Sequence, residues 1–152
     1  MLHVDMWMTG QVWGNTHFDF ASTSARGMSG GIICIWNNLA FIKHRILCNE
    51  NYVVVEGLWI PNNLKIMWIA VYAPQSLSAK IPLWASLVTI IANWDGILVV
   101  IGDFNEVREA SKRFGSHFNE RQADIFNMFI SNASLNDVSL GGYKLTWTDK
   151  WG

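Results

Sequence analysis

From Pro82 to Trp94 the apolar residues Leu83, Leu87, Ile90, Ile91 and Trp94 recur at helical spacing. Directly after Asp95-Gly96, five aliphatic residues stand in a row, Ile97-Leu98-Val99-Val100-Ile101. The first pattern is that of an amphipathic helix, and the second suits a strand covered on both faces. A chain that must bury both a helical stripe and a continuous apolar strand is directed to a layered α/β arrangement.

The first half reads as strands. Gly31-Ile32-Ile33-Cys34-Ile35-Trp36 is a short apolar run, Asn37-Asn38 offers turn chemistry, and Phe41 to Leu47 follows as a return strand. Tyr52 to Trp59 and Lys65 to Tyr72 are rich in β-branched and aromatic residues. The breaker Pro61-Asn62-Asn63 separates them, which predicts an antiparallel hairpin. Pro82 is placed in the first turn of its helix, where its missing N–H has no partner in any case. A second amphipathic helix is predicted from Glu120 to Ala133, with Asn119 as N-cap and Ile125, Phe126, Phe129, Ile130 and Ala133 as its stripe. After Gly141-Gly142, Leu145-Thr146-Trp147-Thr148 reads as one more strand.

Composition narrows the function classes. The chain has 152 residues, 51% of them hydrophobic and 15% charged. That excludes a disordered tail and fits a single domain, residues 1–152. A formal net charge of -1 excludes a chain that binds nucleic acid by bulk charge, though not a local basic patch. No apolar stretch approaches the roughly 18 residues of a membrane span, and the N-terminus lacks a secretory pattern, so the expectation is an intracellular protein with no membrane partner. Cys34 and Cys48 have no metal-ligand spacing and read as buried thiols.

The segment with chemical content is Ile101-Gly102-Asp103-Phe104-Asn105. On an extended backbone, residues two apart point to one side, about 6.5–7 Å apart. Asp103 and Asn105 would then converge on one pocket, while Gly102 admits a close backbone or ligand. A carboxylate such as Asp103 can orient and deprotonate a water, and an amide such as Asn105 can donate to a phosphate oxygen. That combination suits phosphate-ester hydrolysis, which also needs a cation or donors to offset the charge. The alternative is an Asp–Asn turn capping a strand end. Val71-Tyr72-Ala73-Pro74 ends its own strand with a phenol that can donate to a phosphoryl oxygen; the alternative is a half-buried tyrosine held by Pro74. Lys112-Arg113, near Arg108 and Arg121, form a basic cluster suited to a phosphate backbone or to a solvated loop. Trp59, Trp68, Trp84 and Trp94 fall on apolar strands or stripes and read as core.

Ser29-Gly30-Gly31-Ile32, Val71-Tyr72-Ala73-Pro74, Gly102-Asp103-Phe104-Asn105 and Thr146-Trp147 stand in the order seen in the endonuclease/exonuclease/phosphatase superfamily. With Trp13-Gly14 before Phe18-Asp19-Phe20, the chain most resembles the endonuclease domain of plant LINE-type (non-LTR) retrotransposons. The resemblance implies a four-layer sandwich of two mixed or antiparallel β-sheets flanked by helices. It implies Mg²⁺-dependent cleavage of a DNA phosphodiester in a nuclear setting, and a reverse transcriptase region in the parent element. It implies that Asp103 orients the nucleophilic water and indirectly supports the metal, that Asn105 contacts phosphate and water, and that Tyr72 contacts phosphate.

The same resemblance points to gaps. Nothing before Trp13 matches the family's metal-binding Glu, and Gln11 is followed by Val12. The family's late Ser-Asp-His has no counterpart before Trp151-Gly152, and none of His3, His17, His44 and His117 falls on a family motif. The expectation is therefore a partial, incomplete domain with weak or no activity, because catalytic sets of this kind are strongly non-additive. Two rivals stand beside it: a phosphatase acting on a small phosphoester, and a non-catalytic binding or scaffold remnant.

Overall fold

A computed structural model describes residues 6–23, 31–112 and 117–138. The fold is α/β, and the described residues form two sheets and three helices in the order α1 (Met6–Trp13), β1 (Asp19–Ser22), β2 (Ile33–Trp36), β3 (Phe41–Asn49), β4 (Tyr52–Trp59), β5 (Leu64–Tyr72), α2 (Leu77–Ala92), β6 (Ile97–Asp103) and α3 (Glu120–Asn132). The chain divides into two compact units, one of residues 1–75 with 93–105, the other of residues 76–92 with 106–152.

The first unit holds both sheets. β1 and β2 form an antiparallel pair, and the other four strands run in the order β3-β4-β5-β6. The predicted hairpin is present: β4 and β5 pair antiparallel from Tyr52 opposite Val71 to Trp59 opposite Leu64. Its turn carries Asn63 at φ 55°, a left-handed conformation that Asn tolerates. The return-strand expectation is corrected. β3 does not fold back on β2; it pairs with β4, and β2 pairs with the unpredicted β1. Asn37, whose side chain accepts the N–H of Leu39, turns the chain from one sheet into the other. The two sheets bury Ala21, Phe41, Val53, Val55 and Ile66 between them, with Cys34, Trp36, Trp59 and Trp68 packed at the margins.

The strand covered on both faces is β4, where Tyr52, Val53, Val54 and Val55 are consecutively buried. For the run Ile97–Ile101 that expectation is overturned, since Ile97 is 44% exposed and Ile101 53% exposed. β6 pairs parallel with β5 and ends the described sheet. Gly102 is required there. Its φ is 135°, and a Cβ would run into the carbonyl of Val71 on β5. The close approach read from the sequence is thus that of a neighbouring strand.

The second unit is built on α2 and α3. Trp84 stacks on Phe129 at 4.7 Å and meets Phe126 at 5.4 Å. The predicted α3 is present, with Asn119 accepting the N–H of Gln122. Helix α2 begins at Leu77, so Pro82 lies inside it and not in its first turn. Lys80 interrupts the apolar stripe and is buried. Its Nζ meets Glu106 Oε2 at 2.9 Å, with the two side chains 2% and 1% exposed. The strand read at Leu145–Thr148 lies outside the described residues.

Candidate functional site

Two backbone bonds and one side-chain bond fix the ends of β5 and β6. Tyr72 and Asp103 are the last register pair. Strands in a sheet lie about 4.8 Å apart, and paired residues present their side chains to one face, so the phenol and the carboxylate share a side. Just beyond, Ala73 donates its N–H to the carbonyl of Asp103 at 2.8 Å. Tyr72 is also held from its other flank, by the turn between β3 and β4. Its N–H donates to the carbonyl of Asn51 at 2.9 Å, and its own carbonyl accepts from Asn51 Nδ2 at 3.1 Å. Asn51 is a positioning residue that the sequence reading passed over. Its signal was the Asn49-Glu50-Asn51 turn between two strands, but its partner 21 residues away was not visible in the letters.

The extended geometry expected for Asp103-Phe104-Asn105 is replaced by a bend. Asn105 adopts φ 48°. Its N–H donates to Asp103 Oδ1 at 2.8 Å, a turn in which the carboxylate caps the strand end. Its side-chain amide donates to the carbonyl of Ala73 at 2.6 Å. Asp103, Asn105 and Tyr72 are therefore brought to one strand end, but Asp103 and Asn105 are joined by the turn rather than by parallel projection from a strand. Asp103 is exposed, and Tyr72 and Asn105 are half-buried.

The basic residues are less informative. Lys112 closes the short 3-10 turn Ala110–Lys112; its side chain, and all of Arg113, lie outside the described residues. Arg108 is engaged within its own unit, donating to Asn127 Oδ1 at 2.8 Å and to Asp137 Oδ2 at 2.7 Å. His17, His44 and His117 are exposed.

A hard dication such as Mg²⁺ takes oxygen ligands from carboxylates, water and substrate phosphate. The strand end supplies one carboxylate, that of Asp103. Among the described residues no three His, Cys, Asp or Glu side chains come together. This donor set does not fit a resident Mg²⁺.

The cysteines depart from expectation. Both are free thiols, with Cys34 half-buried and Cys48 exposed. Burial, and secondarily the neighbouring Cys48, push the Cys34 thiol up to about 11. Desolvation raises Cys48 as well. Neither is activated as a nucleophile, which requires a depressed pKa. No helix among the described residues is long and apolar enough to cross a membrane.

No protein-family model matches the chain, and no curated protein does. Among solved structures the chain is similar to the crystal structure of ANGEL2, a 2',3'-cyclic phosphatase, at 13% identity and a TM-score of 0.49. The match covers 67% of this chain and 36% of that one, so this chain spans about a third of that structure's length.

Proposed function

We propose that this chain is a phosphodiesterase domain of the endonuclease/exonuclease/phosphatase type, derived from a LINE-type retroelement, with DNA as its substrate and weak activity at most. The observation that carries the reading is the pairing of Tyr72 with the exposed Asp103 at the end of β5 and β6. Open α/β sheets offer ligands the carboxyl ends of their strands. In this reading Asp103 orients and deprotonates the attacking water, and the Tyr72 hydroxyl donates to a phosphoryl oxygen. Asn105 holds the turn that presents Asp103, and Lys112 and Arg113 contact the phosphate backbone. Mg²⁺ is the cation the motif resemblance implies. Such an ion would arrive with the phosphate substrate rather than reside in the chain, meeting Asp103 as the strand end's one carboxylate among the described residues. A reverse transcriptase region in the parent polypeptide and a nuclear location belong to the proposal too.

A second reading, a non-catalytic binding or scaffold domain, is favoured by one observation. Asp103 Oδ1 and Asn105 Nδ2 are both engaged in holding the loop.

Nicking of supercoiled DNA, followed while Mg²⁺ is titrated, separates the two. The first reading expects a metal-dependent nick that falls by about 10²-fold or more in Asp103→Ala. Nicking unchanged by Asp103→Ala and Asn105→Ala removes the strand end as its source. A folded protein with no nicking at any Mg²⁺ concentration leaves the scaffold reading.

A further inference from the structure

Two free thiols stand on the facing sides of the two sheets of the first unit. Ladder register places the first. Cys48 on β3 is the partner of Val53 on β4, and paired residues present their side chains to one face of a sheet. On that face Val53 is buried in the core between the sheets, and so is Val55, the partner of Ile46. Ile46 packs against the same core and stands two residues before Cys48, so the two share a face. Cys48 is thus turned toward the other sheet, at the margin, where it is exposed. The second thiol comes from the opposite side. Cys34 on β2 is the partner of Ala21 on β1, and it packs against the core that Ala21 and Val53 form. The two thiols are near enough for a charge on Cys48 to be felt at Cys34.

Two circumstances let these sulfurs join. Cys34 lines a cavity of about 460 Å³ between the sheets, whose wall also carries Trp13, Trp36, Trp59 and Trp68, so its side chain has room to turn about the Cα–Cβ bond. The surroundings also favour a neutral product. Burial disfavours the thiolate at both positions, whereas a disulfide carries no charge. The setting that makes these thiols slow nucleophiles therefore gives the reduced pair no stabilised thiolate with which to resist oxidation.

We propose that Cys34 and Cys48 form a reversible disulfide that fastens β2 to β3, with a small-molecule disulfide such as glutathione disulfide as oxidant. The exposed Cys48, as its thiolate, attacks one sulfur of glutathione disulfide. The S–S bond of the oxidant breaks, Cys48 holds one glutathione as a mixed disulfide, and the other leaves and takes up the proton that Cys48 gave. Cys34, as its thiolate, then attacks Cys48 Sγ. The mixed disulfide breaks, and the second glutathione leaves with the proton from Cys34. Two protein thiols lose two electrons, and one glutathione disulfide is reduced to two glutathiones. The bond is independent of the chemistry proposed at Asp103.

The test incubates the reduced wild-type chain with excess glutathione disulfide under native conditions, then quenches it in acid and weighs it intact. The expected product is a monomer lighter by two hydrogens, whose unreduced digest joins the peptide of Cys34 to that of Cys48. Cys34→Ser should stop at a monomer heavier by one glutathione. Cys48→Ser should react about tenfold more slowly or less, since only the half-buried thiol remains. A wild-type chain that stops at the glutathione adduct, joins two copies through Cys48 or keeps both thiols overturns the proposal. A bond that forms only in urea overturns it too, because the fold then does not bring the sulfurs together. If a serine variant does not fold, the mass and digest of the wild type decide.

Discussion

The side-chain amide of Asn105 donates to the carbonyl of Ala73 at 2.6 Å, tying the loop after β6 back to the end of β5. Together with the Asp103 Oδ1 bond to the Asn105 N–H, it makes the Asp–Asn pair a clasp between two strand ends. Whatever chemistry the strand end performs, its first physical task is to hold Asp103 beside Tyr72.

Asn105→Ala should therefore destabilise the protein by about 1–3 kcal/mol, because the buried Ala73 carbonyl loses its donor. Asn105→Gly should be less damaging by up to about 1 kcal/mol, since glycine accepts the positive φ without strain. Urea unfolding midpoints at unchanged slope measure both. Two variants of wild-type stability would show that the clasp does not form in solution.

Lys80→Met should cost about 3–5 kcal/mol by leaving the Glu106 carboxylate buried without its partner. Adding Glu106→Leu should recover most of the loss, since an apolar pair of similar volume removes the buried charge. A double variant no more stable than the single would mean that Glu106 is not desolvated. Thermal melts of the three chains decide.

Gly102→Ala should cost about 3 kcal/mol or more, because the new methyl meets the Val71 carbonyl and the φ of 135° is strained for any side chain. The expected readout is a lowered melting temperature or loss of soluble protein. A wild-type melting temperature would rule out the close β5–β6 register.

Alkaline pH should destabilise the fold through Cys34. Its folded pKa, about 11, lies above the ordinary 9.0, so the neutral thiol's contribution is complete below pH 9 and is lost as pH rises through 11. The melting temperature should drop between pH 9 and 11, and Cys34→Val should drop less over that window. Identical slopes would place Cys34 in solvent. The exposed Cys48 should react first with a thiol reagent at neutral pH.

The local elements were readable because local chemistry decides them. The β4–β5 hairpin followed from two β-branched runs around Pro61-Asn62-Asn63, and α3 followed from its apolar stripe and the Asn119 cap. The pairing of Tyr72 with Asp103 was readable only as two motifs at strand ends; nothing in either segment says that the strands are neighbours. Misreadings occurred where a distant partner overrides the local pattern. Phe41–Asn49 turned from β2 to β4, because the inter-sheet core takes Phe41 against Val55 and Ile66. Pro82 was absorbed inside α2, and Lys80 on its apolar stripe was explained only by Glu106, 26 residues away.

Period and composition were enough to settle the α/β class and most strand and helix positions, since burial of alternating or helically spaced side chains is a property of neighbours along the chain. Which strands pair, how Asn105 bends onto Ala73, and which side chains enclose the indole-lined cavity depended on contacts between residues far apart in sequence. Those contacts exist only once the backbone has closed its loops, and no spacing in the letters encodes them.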